Sequence, residues 1–215
     1  MPIPNYLKDI AFNERKKGDF TAFDIKCNCG CSSFYAYESY LDKDEKKACE
    51  PHQKALEEVY RCNGSFKCTV DSDGTVHHYK LGPLYDITKK PVKEFIVPPA
   101  PFYSSVVVFK IKCSECGTEY TVFDTRYNGY SGKYCMNLSE QEKNYTPHFK
   151  QKKNRDNKPF PISVRVEHDP SFEEFQENVG AECSVTDYED AFTWISVSSV
   201  SDNGKKRQLF EFESD

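Results

Sequence analysis

The sequence is poor in several things, and each shortage excludes something. It has one tryptophan, two methionines and ten glycines in 215 residues. No apolar run approaches the roughly twenty residues that cross a bilayer, and the opening stretch MPIPNYLKDIAFNERKK has no apolar segment of the secretory type. A membrane role is therefore set aside and a cytoplasmic location expected. The N-x-[ST] triplets at Asn63, Asn137 and Asn144 are then read as chance. An excess of positive charge is also missing: the net charge is −5, so the chain as a whole is not built to bind polyphosphate. Catalytic signatures are absent too. There is no glycine-rich phosphate loop, no H-E-x-x-H and no G-x-S-x-G. The His-x-Glu that zinc deaminases combine with C-x-x-C does not occur. No motif names a reaction, and a non-enzymatic role is expected, the alternative being an enzyme whose site is assembled from residues scattered along the sequence.

What is present is cysteine and aromatic residues. Aromatics make up 14% and charged residues 29%, the composition of a folded chain with a polar surface rather than of a disordered one. The length fits one or two domains with a real core. Ten cysteines in a reducing compartment make poor disulfide partners, and clustered ones there point to metal or redox chemistry.

Along the chain, Phe20 to Lys26 alternates as a strand and is followed by cysteines, then by the aromatic run SFYAYESYL. Asp42 with Glu45 is a capping signal for a helix from about 43, which Pro51 should interrupt. FKCTV, the turn DSDG and TVHHYK form a hairpin, and the proline-rich 81–104 reads as an extended connection. Val106 to Lys112 and EYTVFD are strands. The polar residues 138–159 are a linker candidate. Beyond them come a strand at ISVRVEH, a helix with Ser171 and Glu174 as capping box and Gly180 as stop, and two strands joined across the Asn-Gly of SDNGK. Residues 161–215 carry four basic against thirteen acidic residues, a charge of −9, while residues 1–160 carry +4. That shift suggests modules. The expected fold class is α+β, with a β-rich first module over 1–137 interrupted by a helix and hairpin at about 32–104. The linker 138–159 and an acidic β-α-β-β module over 160–215 follow.

One phrase is written twice. Phe23-x-Ile25-Lys26-Cys27-x-Cys29-Gly30 matches Phe109-x-Ile111-Lys112-Cys113-x-x-Cys116-Gly117. In each, a strand delivers one thiol, the chain turns, and a second thiol comes back, with a glycine where such a turn needs a positive φ. One turn supplies two ligands, and a structural Zn²⁺ takes four in a tetrahedron. These strand–turn–strand pieces, at about 20–40 and 105–125, resemble a zinc ribbon. The resemblance implies a Zn²⁺ held by Cys27, Cys29, Cys113 and Cys116, with iron as the second choice of metal. The chain departs from the ribbon pattern twice. Its first turn is C-x-C-G, one residue short, and positions 30 to 112 separate the halves. Cys31 is an alternative to Cys27 as ligand, although only 27 and 29 keep Gly30 in register with Gly117.

The remaining candidates are weaker. Cys62 and Cys68 with His77 and His78 have no usual ligand spacing. Cys49, Cys135 and Cys183 are single and read as structural. Asp71-Ser-Asp73-Gly74 lacks the rest of a calcium loop and reads as a turn. His168-Asp169 has no nucleophile to match. Two partner classes remain. One is a protein, met by the aromatic-rich or acidic surface. The other is nucleic acid, suggested by the basic and aromatic HFKQKKNRDNKPF.

Overall fold

In the computed structural model, the period-two runs of the sequence become strands. The described residues are 2–18, 20–62, 66–81, 93–101, 106–129, 140–154, 156–168, 171–179, 184–201 and 203–213. Twelve strands form among them: β1 (Ala11–Lys17), β2 (Phe20–Ile25), β3 (Phe34–Tyr40), β4 (Phe66–Val70), β5 (Val76–Lys80), β6 (Lys93–Val97), β7 (Val108–Cys113), β8 (Glu119–Asp124), β9 (His148–Lys152), β10 (Ile162–Glu167), β11 (Trp194–Val200) and β12 (Lys206–Glu213). The helices are α1 (Lys43–Tyr60), α2 (Glu140–Asn144), α3 (Phe172–Val179) and α4 (Val185–Asp190). Three antiparallel sheets result, with orders β1-β2-β10-β11-β12, β8-β7-β3-β9 and β4-β5-β6. The fold is β-rich α+β. Among the described residues no helix is long and apolar enough to cross a membrane.

The chain divides into two units, one of residues 1–40 and 105–215, the other of 41–104. In the first, the five-stranded and four-stranded sheets turn apolar faces to a shared core. Phe23 and Ile25 of β2, Val164 and Val166 of β10, and Ile195 and Val197 of β11 come from one sheet. Phe34 of β3, Phe109 and Ile111 of β7, and Phe123 of β8 come from the other. The Phe109 and Phe210 rings lie 4.9 Å apart across it. Phe23, Phe34, Phe109 and Phe123 are fully buried, each stabilising by about 1.5–3 kcal/mol through burial. In the second unit, α1 lays Ala55, Leu56 and Val59 on Phe95 and Val97 of β6.

Several expectations change. Pro51 does not interrupt α1, which runs unbroken through it. The connection 81–104 contains β6. The expected linker 138–159 contains α2 and also β9, which pairs with β3 from Ala36↔Lys152 to Tyr40↔His148. Residues 160–215, expected as a module of their own, supply β10, β11 and β12 to the sheet of β1 and β2. There Ser163 of β10 stands opposite Asp24 of β2. A second helix, α4, joins their expected β-α-β-β order, capped by Ser184 and Asp187. Gly180, Cys135, Cys183 and the side chain of Glu174 lie outside the described residues.

Candidate metal centre

Each repeated phrase folds as a strand end followed by a tight turn. After β2, the Gly30 amide donates to the Cys27 carbonyl at 2.8 Å, and the Cys27 amide donates to the Cys31 carbonyl at 2.8 Å. After β7, the Gly117 amide donates to the Cys113 carbonyl at 3.2 Å. The closing bond thus spans one residue fewer in the first turn, the backbone counterpart of C-x-C-G against C-x-x-C-G. Gly30 and Gly117 have φ of 94° and 74°, in the left-handed region that costs an L side chain free energy.

Strand pairing brings the turns together. β3 pairs with β7 so that Phe34 stands opposite Cys113, and the Ser114 amide donates to the Ser33 carbonyl at 3.1 Å. The first turn carries the chain from the five-stranded sheet into β3 of the four-stranded one. The second closes the β7–β8 hairpin inside the latter, with Lys112 opposite Glu119. The cysteine cluster therefore sits where the chain crosses between the two sheets.

The Sγ atoms of Cys27, Cys29, Cys113 and Cys116 all lie within 4.8 Å of one another. Cys27 and Cys116 are 3.4 Å apart and Cys29 and Cys113 3.6 Å. A disulfide is about 2.0 Å, so these are not bonded pairs. Four sulfurs at about 2.3 Å from one tetrahedral ion are about 3.8 Å from each other, so the donor set fits a metal ion. Cys27 and Cys113 are buried and Cys29 and Cys116 exposed. The Cys116 and Cys113 thiols are shifted in opposite directions. The Thr118 hydroxyl, 3.1 Å from the Cys116 sulfur, is the main cause holding that thiol down at about 6. Burial pushes Cys113 up to about 12. Four adjacent thiolates repel one another, and a divalent cation removes that cost.

The sequence did not point to Thr118 or Tyr120. The Tyr120 hydroxyl lies 3.1 Å from the Cys27 sulfur and accepts from the Asn28 amide at 3.4 Å. It reaches across from β8, a neighbour that only strand pairing supplies. Cys31 is outside the quartet: its sulfur accepts from the Ser33 amide at 3.3 Å and lies 3.5 Å from Ser114 Oγ.

The other candidates do not converge. Cys68 stands 3.1 Å from His78 Nδ1, and Cys62 accepts from Lys80 Nζ at 3.2 Å. His77 bridges Asp71 and Glu94, which raise its pKa. Asp71 to Gly74 is a turn, closed by the Gly74 amide on the Asp71 carbonyl. His168 is buried, its Nε2 donating to the Glu189 carbonyl at 2.9 Å, and burial lowers its pKa. Asp169 lies outside the described residues. No family model, curated protein or solved structure matches the chain.

Proposed function

We propose that the chain is a binding protein without catalytic chemistry of its own, and that one structural Zn²⁺, in a zinc-ribbon-like arrangement, stabilises its two-sheet unit. Cys27, Cys29, Cys113 and Cys116 hold the ion. The observation that carries this reading is the convergence of four free sulfurs at tetrahedral spacing. Four thiolates complete the coordination of Zn²⁺ and leave no position for water or substrate. The ion then contributes a cross-link between the β2–β3 crossing and the β7–β8 hairpin. Structural zinc cross-links of this kind contribute free energy to the fold outright.

The test is metal analysis of chain purified under reducing conditions without added metal. One equivalent of zinc is expected, and iron would appear as a thiolate charge-transfer colour. Cys116→Ser and Cys29→Ser, both at exposed positions, should lose the ion. Cys31→Ser should keep a full equivalent. Retention of the metal by Cys116→Ser, or its loss from Cys31→Ser, would overturn the ligand assignment.

A further inference from the structure

Three open cavities follow one another from the outer face of the five-stranded sheet, where Arg15, Lys17, Phe20, Ala22 and Arg165 line the first, round to the end of the sheet, where the core residues Ile25 and Ile162 help line the second and Phe160 the third. Their volumes are about 590, 240 and 400 Å³. They share walls: Arg15 lines the first and second, and Lys206 lines the second and third. In the first, the register Arg15↔Ala22↔Arg165 sets two arginines on either side of a small floor residue.

The charge of these walls is one-sided. Arg15, Lys17, Arg165, Lys205, Lys206 and Arg207 line the run, against one carboxylate, Asp24. Arg15 already holds Asp24 through two bonds of 2.6 and 2.7 Å. Among the described residues, Lys17, Arg165 and Lys205 have no carboxylate partner, and Lys206 Nζ donates only to Ser163 Oγ at 2.9 Å. Asp19 and Asp202 lie outside the described residues. The other carboxylates of this face, Glu167, Glu211 and Glu213, line none of the three cavities, and the Trp194 indole and Gln208 engage Glu211.

Phe20 and Phe12 stand among the cations, and Trp194 borders them from a position opposite Glu167 and Glu213. The Arg165 guanidinium lies 3.5 Å over the Phe20 ring and 5.5 Å from Trp194, and the two rings meet edge to face at 5.8 Å. Phe12, 40% exposed, lines the second cavity. We propose that this face binds single-stranded nucleic acid as an extended chain. Phosphates follow the cationic cavities, and bases stack on Phe20, Trp194 and Phe12. An acidic peptide would use the cations but not the rings, whereas a single strand uses both. β11 alone rises about 20 Å along the face, which suits an extended polymer better than one phosphate. The proposal rests on the reading of the chain as a binding protein and not on the metal.

Trp194 is the only tryptophan of the chain and reports occupancy directly. The experiment titrates the full, metal-loaded chain with oligothymidylate and oligouridylate of about twelve nucleotides, following Trp194 emission. Quenching with a dissociation constant of about 10 µM or tighter at low salt is expected. Affinity should fall with salt at a log–log slope of about −3, as for four neutralised phosphates. Arg165→Gln and Lys206→Gln should each weaken binding about fivefold, and together lower the slope. Lys150→Gln, on the other sheet, should change nothing. Absence of quenching up to about 100 µM oligonucleotide, the weak end of non-specific binding, would overturn the proposal. So would binding indifferent to Arg165→Gln with Lys206→Gln, or tighter binding of duplex DNA. Tighter binding of a polyglutamate peptide would assign the face to an acidic protein instead. Chain that carries its metal but ignores the oligonucleotides would sink this inference and leave the metal assignment standing.

Discussion

Asp24 shows how one residue can tie three strands. Its carboxylate accepts from Arg15 on β1 and from Asn13 at 2.8 Å, and Arg15 reaches on to Ser163 of β10 at 3.3 Å. The Arg15 hydrogen bonds hold Asp24 down at about 2, against the opposing effect of burial. A carboxylate lowered in the fold stabilises at pH above its unfolded value of about 4, and loses that contribution as pH falls from about 4 to about 2. Arg15 is partly exposed, so solvent screening limits the effect to about 1 kcal/mol. Asp24→Asn is therefore expected to be less stable than the parent chain at pH 7 by about that amount, with the gap closing by about pH 2. Urea midpoints measured across pH check this, and a gap independent of pH would reject the ion pair as its cause. This pair was invisible in the sequence, because Asn13 and Arg15 reach Asp24 only through the β1–β2 register, which shifts between Phe12 and Arg15. The four cysteines were legible because two turns spell their own geometry locally. Tyr120 and Thr118 beside them were not, since nothing in EYTVFD distinguishes a sulfur neighbour from ordinary strand.

At the scale of elements, α1 is the clearest departure from a local rule. Pro51 lacks an amide to donate to the Lys47 carbonyl and should cost about 3 kcal/mol in a helix interior. The helix persists because its start and one face are well secured. Asp42 accepts from the Asp44 and Glu45 amides at 2.9 Å, Glu45 accepts from the Asp42 amide at 2.7 Å, and Val59 with its neighbours packs on Phe95 and Val97. Pro51 itself is exposed and belongs to no buried cluster. Pro51→Ala is expected to stabilise the 41–104 unit by about 1–3 kcal/mol with unchanged helix content, measured by circular dichroism during denaturation. A loss of stability would mean that the proline shapes the packing. The sequence overruled itself here because a helix-breaking rule weighs one residue, while burial sums over a face. β9 was lost to the linker for the opposite reason. As the edge of the four-stranded sheet it is half-solvated, and HFKQK shows no apolar alternation.

Charge at the scale of the whole molecule cannot be tallied by segment. Residues 161–215 sum to −9, yet Arg165 and Lys206 from that segment share the outer face of one sheet with Arg15 and Lys17. Insertion of β10 between β2 and β11 is what joins them. The same long-range topology sets the weight of the metal. The first turn is the crossing from one sheet to the other, and the second belongs to the hairpin that β3 pairs with. Cys29 and Cys116 are exposed and bury little apolar surface, so without an ion the corner is held by backbone hydrogen bonds, by the Tyr120 and Thr118 hydroxyls and by the buried side chains of Cys27 and Cys113. With it, two segments 84 to 89 residues apart in the chain are cross-linked. A structural zinc site in a small finger stabilises by about 10–16 kcal/mol, against a typical total stability of about 5–15 kcal/mol for a folded protein. Part of that is spent on deprotonating the thiols, Cys113 above all. A net loss of about 5 kcal/mol on metal removal lowers the melting temperature of a chain this size by about 10–20 °C. Thermal melts in reductant, with and without a strong chelator, are expected to show that drop and its recovery when Zn²⁺ is returned. Hydrogen exchange should rise first at the Cys27, Gly30, Cys113 and Gly117 amides, whose bonds close the two turns. An unchanged melting temperature after metal analysis confirms complete removal would show that strand pairing alone holds the corner, and that the ion is a passenger on a fold already complete.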